Sequence, residues 1–539
     1  MFVTLWGFCP MKKDEIIGKG TWLDTVASKI IEREISSGRD VSMIRTESGL
    51  GASGIPHVGS LSDAVRAYGV TLALRNMGYN SETIAFADDM DGLRRVPSGM
   101  PSWLQEYLLK PVSHIPDPFG CHNSYGEHMS GMLRDALDTI GVEYRFFSAK
   151  KVYEDGMLVN EIDKILRNSS TIGRIIYEIV GQDKFLKVLP YFPVCKNCGR
   201  IYTASAYEYD QKRFIVKYRC EGVEIKGRKV EGCGYEGEAD IRKGEGKLAW
   251  KVEFAARWAR LDIRFEAYGK DIADSVKVND IVAERILGFM PPYHIRYEMF
   301  LDERGRKISK SAGNVFTPQE WLKYGTPESL LLLVYKRYAG TRRVSYKSIP
   351  KLMDEVDYIE DVYFGKQKAA TKTAEMRLKG LYEYIHHLRP PKQPRTHVPY
   401  NLLVELASFA PQGKVEEFVI SRLAKYGYKI DDEVLRRVRL AINYAQKFGR
   451  VKRGLVELNE NEKMAVRQLA SKILEVNSPE ELQHSIFELA RSNGIEPQQF
   501  FRKLYEIFIG IPRGPRLGPY LFDIGKEEVL RRLEPYLAS

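Results

Sequence analysis

The sequence predicts an α/β protein: a parallel-sheet domain interrupted by a cysteine-rich insertion and followed by an all-α carboxyl-terminal region. Three observations predict it. Strand, glycine turn, helix and strand patterns follow one another between residues 41 and 91, strand patterns return after about residue 247, and helical periodicity dominates from 326 to 539. The implied division is 1–40 as an amino-terminal extension and helix, 41–91 with 247–325 as the sheet domain, 92–246 as the insertion, and 326–539 as the helical region. A chain of 539 residues is too long for one ordinary core, and its length suggests about three or four domains.

The elements follow in order. Met1 to Pro10 is apolar, but it is short and Lys12-Lys13 come after it, the wrong order for a secretory signal, so these residues are expected to lie outside the fold. Asp24 to Ile35 reads as an amphipathic helix, and Val41 to Arg45 as a buried strand entering the glycine-rich turn Ser48 to Gly54. From His57 to Asn76, the residues Val58, Leu61, Val65, Tyr68, Leu72 and Leu74 form a helical stripe that Gly78 is placed to end. Thr83 to Ala87 is a second strand, closed by Asp88-Asp89-Met90-Asp91. This succession opens a Rossmann-type nucleotide-binding sheet, in which ligands sit beyond the carboxyl ends of the strands.

Between about Gly92 and Gly246 the pattern loosens into Pro-rich and Cys-rich segments. Ala249 to Val252 and His294 to Phe300 read as further strands, the latter running into a basic glycine loop from Asp302 to Asn314. Beyond Thr326 the clearest helices are Leu381 to Leu388, Asp432 to Phe448, Glu462 to Val476, Pro479 to Asn493 and Pro497 to Phe508. The prolines of Arg389 to Pro399 mark a connection.

No run reaches the roughly 18 apolar residues of a membrane span, so a cytoplasmic location and no membrane partner are expected. The formal charge of +11 favours a polyanionic partner, because neutralising phosphates releases condensed counterions. Five of the six cysteines fall in two clusters with ligand spacing, which fits bound metal in a reducing compartment better than disulfides. Cys9 stands apart.

Two short motifs carry the chemistry. His57-Val58-Gly59-Ser60 opens a helix, where backbone N–H groups and the macrodipole favour a phosphate and an imidazole N–H adds a directed donor. Gly59 there leaves room for a flat base or ribose. Lys307-Ile308-Ser309-Lys310-Ser311 lies between Gly305 and Gly313, in a loop able to close Lys307 and Lys310 over a triphosphate. The catalytic candidates are therefore His57, Gly59, Ser60, Lys307, Ser309, Lys310 and Ser311, with His57, Gly59 and Lys310 binding ATP. Such parts suit attack of a carboxylate on the α-phosphorus of ATP with pyrophosphate leaving. Cys195-x2-Cys198 with Cys220 and Cys233 offers four thiolates to zinc, provided that Glu221 to Gly232 bulges outward. Asp117, Cys121, His122 and His128 form a second, mixed set.

The paired motifs resemble the HIGH and KMSKS signatures of class I aminoacyl-tRNA synthetases. Arg45 to Ser60, Asp88 to Pro97, Asp117 to His128, Trp250-Lys251-Val252-Glu253 and Gly510 to Gly518 narrow the likeness to the class I lysyl-tRNA synthetases, a mainly archaeal family, over nearly the whole chain from Trp22. The resemblance implies ligation of L-lysine to tRNA(Lys) through a lysyl-adenylate, with Mg2+ accompanying ATP and the helical region receiving the anticodon. It implies amino-acid contacts at Gly49 and Trp250. It also implies zinc at Asp117, Cys121, His122 and His128, where the family commonly has aspartate in place of Cys121. Two structural Zn2+ ions and a monomer are expected. On chemical grounds, an ammonium with a methylene stem needs a carboxylate and an apolar wall, for which Glu47, Asp89 and Asp91 with Trp250 are the candidates. The chain departs from the family at Ser60 (usually Asn), at Gly51-Ala52 (usually Thr-Pro) and at Ile272 (commonly His). Two alternatives stay open: another glutamate-type class I synthetase, or a paralogue that binds tRNA without charging it.

Overall fold

A computed structural model describes the chain except for residues 1–16, 226, 307, 309–315, 412, 450–453 and 538–539. It divides into two compact units. The first takes the described residues up to Gln319 with Leu330–Ser345 and Lys368–Pro390; the second takes Glu320–Ser329, Tyr346–Gln367 and Pro391 onward.

The first unit is built on a five-stranded parallel sheet. Its strands are β1 (Ile44–Leu50), β2 (Ser81–Ala87), β3 (Arg145–Ser148), β4 (Ile263–Gly269) and β5 (Tyr293–Tyr297), in the spatial order β5-β4-β1-β2-β3. The chain thus builds outward from β1 to β3, then returns to the other side of β1 to lay down β4 and β5. That reversal makes a switch point between β1 and β4, where the connections leave in opposite directions and open a crevice at the carboxyl edge. The crossover α2 (Val58–Asn76) buries most of its length under the sheet, and α1 (Trp22–Ser36) packs on α2. A capping box starts α1: Asp24 accepts from the backbone N–H and hydroxyl of Thr21.

Two expectations need correction. Ala249 to Val252 is no strand: Trp250 begins the helix α3 (Trp250–Leu261), and the strand that completes this part of the sheet is β4, directly after it. Trp250, Glu253, Phe254, Arg257, Trp258 and Leu261 share the helical spacing, but two of them are charged and break the apolar pattern. The edge strand β3 comes from within the stretch read as insertion. The rest of that stretch supplies the three-stranded antiparallel sheet Ala204–Asp210, Ile215–Cys220 and Glu236–Asp240.

The second unit is helical. It includes α4 (Ser348–Tyr363) and α5 (Asp432–Phe448), the latter packed on the helix Tyr400–Phe409. Asp431 caps α5 by accepting from Val434 N–H at 3.0 Å. Among the described residues no helix is long and apolar enough to cross a membrane.

Candidate functional site

His57 is the N-cap of α2. Its backbone is extended, and its own ring does the capping: Nδ1 accepts from Ser60 N–H at 3.1 Å. With Nδ1 an acceptor, the neutral ring carries its proton on Nε2, the form that donates to a phosphate oxygen. Gly59 makes this geometry possible, since a Cβ there would meet Nδ1 at 2.8 Å and Cε1 at 2.9 Å of the ring. The space that the sequence reserved for a base or ribose is occupied first by the histidine itself.

Lys307, Ser309, Lys310 and Ser311 lie outside the described residues, but both flanks of their loop are placed. Ile308 N–H bonds to the Phe300 carbonyl at 3.1 Å, and Val58 N–H, the first helical residue after His57, bonds to the Phe316 carbonyl at 2.9 Å. Phe316 is buried. The carboxyl-terminal flank of the basic loop is therefore stitched to the N-terminus of α2.

Beside them, at the β1–β4 switch point, lies a buried charge network. Glu47 on β1 stands in register with Glu266 on β4, and Arg257 of α3 reaches both, at 2.9 Å and 3.8 Å. Arg257 also donates to Asp88 at 3.0 Å and stacks over Phe86 and Phe254. Lys247 joins Asp91 at 2.7 Å and Glu253 at 2.8 Å, while Tyr153 hydroxyl donates to Glu253. Among the described residues these five carboxylates thus meet three cations, Arg257, Lys247 and, beside Asp91, Arg94. Burial pushes Glu47 up to about 8 and Asp88 and Glu266 up to about 7, although Arg257 opposes the rise in each case. Burial likewise opposes charge on Asp91, but Lys247 outweighs it and holds that carboxyl below the usual range.

The expected lysine contacts are therefore placed as follows. Glu47 pairs with Arg257 and Asp91 with Lys247; Asp89 accepts from Ser148 hydroxyl at 2.5 Å and Lys150 N–H at 2.8 Å. Gly49, the next-to-last residue of β1, has Asp88 as its nearest side-chain neighbour. Trp250 stands at the start of α3, 37% exposed, edge-on to Phe254 at 5.3 Å. Ile272 is half-buried and packs against the core beside β4. Sequence reasoning did not single out Arg257, Lys247, Glu253 or Glu266. The available signal was their charge on otherwise apolar core faces of α3 and β4.

Both cysteine sets converge. Cys195, Cys198, Cys220 and Cys233 bring their sulfurs within 4.8 Å of one another, with Cys195–Cys233 at 3.6 Å and Cys198–Cys220 at 3.8 Å. A tetrahedron of Zn–S bonds near 2.3 Å has edges of about 3.8 Å, so the donor set fits zinc. The expected bulge is a hairpin, Gly222–Ile225 with Arg228–Glu231. At its base Gly232 lies so close to Cys220 that a Cβ would meet the Cys220 carbonyl oxygen at 2.1 Å. Cys233 N–H then points at Cys220 Sγ, 3.4 Å away. In the second set, Cys121 Sγ lies 3.2 Å from Nδ1 of both His122 and His128, and Asp117 Oδ1 lies 3.3 Å from His128 Nδ1. Phe119 stacks on His128 at 4.5 Å.

A parallel sheet with a reversed strand order and a crevice at its carboxyl edge is the architecture of nucleotide-handling α/β proteins. Comparison narrows the class. A family model described as tRNA synthetases class I (K) matches residues 20–387. A lysine–tRNA ligase of Cenarchaeum symbiosum is 51% identical over 519 residues, covering 96% of this chain and 98% of that protein. A lysine–tRNA ligase of Rickettsia felis is 30% identical over 531 residues, covering 97% and 98%. The chain belongs to the class I (K) tRNA synthetases.

Proposed function

We propose that the chain is a lysine–tRNA ligase, which activates L-lysine with ATP and transfers it to tRNA(Lys). In the first step an oxygen of the lysine carboxylate bonds to the α-phosphorus, the bond to the β-phosphate breaks, and pyrophosphate leaves. In the second, a terminal ribose hydroxyl of the tRNA attacks the activated carbonyl and AMP leaves. His57 donates from Nε2 to a phosphate oxygen, and the loop of Lys307, Ser309, Lys310 and Ser311 closes as a cationic clamp on the triphosphate. Mg2+ bound with ATP would neutralise further phosphate charge.

The observation that carries lysine over another amino acid is the acidic surplus at the switch point. Five carboxylates against Arg257, Lys247 and Arg94 favour a substrate that brings positive charge, and they disfavour an acidic one. In this reading Gly49 and Trp250 border the amino acid, with Glu47, Asp89 and Asp91 at the acidic end. The names of the curated relatives agree. Both cysteine sets are assigned to structural Zn2+ ions that shape the 92–246 stretch, and the 326–539 stretch is assigned to the anticodon end of the tRNA.

The test is ATP–pyrophosphate exchange across a panel of amino acids with tRNA present. Lysine alone should support exchange, and His57→Ala or Lys310→Ala should lower its rate by about 100-fold or more. Exchange driven by glutamate, or by no amino acid while tRNA still binds, overturns the reading.

A further inference from the structure

The four-cysteine cluster and the acidic end of the amino-acid site meet at one carboxylate, Asp91. Its side chain is 24% exposed, whereas that of Glu47 is fully buried and Asp89 is nearly so. It is the most accessible of the three acids assigned above to the amino acid.

Both flanks of the cysteine knuckle hold this group. On the entering side, Tyr191–Pro193 pairs antiparallel with Gly246–Leu248, and Lys247 of that pair reaches Asp91 at 2.7 Å. The knuckle then closes on its own backbone, with Gly199 N–H donating to the Cys195 carbonyl at 2.8 Å and Cys195 N–H to the Arg200 carbonyl at 2.9 Å. On the leaving side, Ile201 N–H donates to the Leu109 carbonyl at 2.8 Å, and Tyr202 lies against Gly92, the residue after Asp91. A Cβ at Gly92 would meet the Tyr202 ring at 2.8 Å, so this approach needs glycine.

A hydroxyl has two acceptor lone pairs and one hydrogen to give. At Tyr202 the Gly92 N–H donates to the oxygen at 3.1 Å and the Arg94 guanidinium at 3.4 Å. Both lone pairs are thereby engaged, and the hydroxyl hydrogen goes to Asp91. The ring behind it is buried, edge-on to Phe192 at 5.3 Å, and Phe192 is the cross-strand partner of Lys247. The hydroxyl and the ammonium that hold Asp91 are therefore set by one piece of packing. Donors at two fixed positions set the plane of the carboxylate, and its roughly four lone-pair sites leave capacity for a further donor.

We infer that Tyr202 is a positioning residue for the amino-acid site: its hydroxyl, carried on the cysteine knuckle, turns the Asp91 carboxylate toward the ammonium of the substrate. The inference rests on the lysine reading above and deepens it. The knuckle then serves amino-acid selection as well as the shape of its own stretch.

The experiment measures ATP–pyrophosphate exchange with tRNA present, using norleucine, which has the same straight chain without the ammonium, as competitor. Tyr202→Phe keeps the ring and removes the hydroxyl. It should raise the lysine KM about 10-fold, with kcat and the ATP KM within about 2-fold of wild type and the norleucine inhibition constant unchanged. Gly92→Ala should raise the lysine KM in the same way by displacing the ring. Tyr218→Phe is the control: that hydroxyl accepts from Lys196 N–H at 2.9 Å in the same knuckle, and its loss should leave the lysine KM unchanged. Bound zinc, read by elemental analysis, should be the same in Tyr202→Phe as in the wild type. An unchanged lysine KM in Tyr202→Phe overturns the inference. So does an equal weakening of norleucine or ATP, an equal rise in Tyr218→Phe, or loss of zinc from Tyr202→Phe, each the mark of a knuckle that has merely loosened. Wild-type exchange separates the two readings: lysine-dependent exchange that ignores Tyr202 defeats only the positioning role, and its absence defeats the ligase.

Discussion

Both units bury cations among carboxylates, but they do so in different ways. In the helical unit, Asp354, Asp357, Glu360 and Asp361 all come from α4, on the face set by steps of three and four residues, and Arg437, His397 and Arg513 answer them. Arg437 makes two hydrogen bonds to Asp357, at 2.5 and 2.8 Å. In the α/β unit, the carboxylates come from β1, the end of β2, α3 and β4, and among the described residues they outnumber their cations by five to three. A near-balanced cluster on one helix holds a fold together. A surplus assembled from distant segments at a sheet edge is, on the reading proposed above, suited to a substrate that brings positive charge.

The comparison can be broken most severely at its two arginines. Arg257→Met strands Glu47, Asp88 and Glu266 without their common partner and should cost about 3–5 kcal/mol, read from denaturant unfolding. Arg437→Met leaves Asp357, among the described residues, with the more distant His397 as its remaining cation and should cost about 3 kcal/mol. If Arg257→Met proves the milder change, the acidic surplus is not a strained, substrate-directed cluster.

Titration sharpens the contrast. The raised carboxyls of Glu47, Asp88 and Glu266 contribute stability that is fully present below about pH 4, their unfolded range, and is lost as pH rises through about 7 to 8. Burial opposes charge on His397, but Asp361 and Glu360 raise it to about 9, so its contribution is fully present below about pH 6.5 and is lost as pH rises through 9. Peptide-resolved hydrogen exchange between pH 6 and pH 9.5 should show α3 and β4 loosening at lower pH than the segment around His397. Over the same rise through pH 8, the lysine KM should fall as the sheet-edge carboxyls ionise.

Metal release should act more locally. Cys195→Ser should reduce bound zinc from two equivalents to one by elemental analysis and raise exchange in Ala204–Asp240, with α5 unaffected. Gly59→Ala should change least in stability. Alanine suits a helix better than glycine by up to about 1 kcal/mol, yet its Cβ displaces the His57 ring, so activity should fall about 10-fold while unfolding is unchanged or slightly harder.

Several elements were legible in the sequence because their signals are local. The helix Asp432–Phe448 falls on its predicted limits, with Asp431 capping its start and Gly449 directly after its end. The helix Pro497–Phe508 does so too, with proline at its first position and the Glu496 side chain accepting from Gln499 N–H. The cysteine spacing announced convergence of Cys195, Cys198, Cys220 and Cys233, and the hairpin between Cys220 and Cys233 is the bulge that spacing demanded. The failures share one cause. On α3 and β4 the core-facing positions carry Glu253, Arg257, Arg264 and Glu266, so the charges that build the site disguised the period of the elements that hold it.

By itself, then, the sequence determined the local structure: where helices start and stop, that His57 opens one beneath a glycine turn, and which donors could share a metal. Such features depend on neighbours within a few residues. Tertiary structure alone decided which carboxylates share Arg257, that Phe316 ties the basic loop to Val58, and that the acids at the switch point outnumber their cations. Those outcomes depend on strand order and register, which bring residues separated by some 200 positions within hydrogen-bonding distance, and no local pattern encodes that.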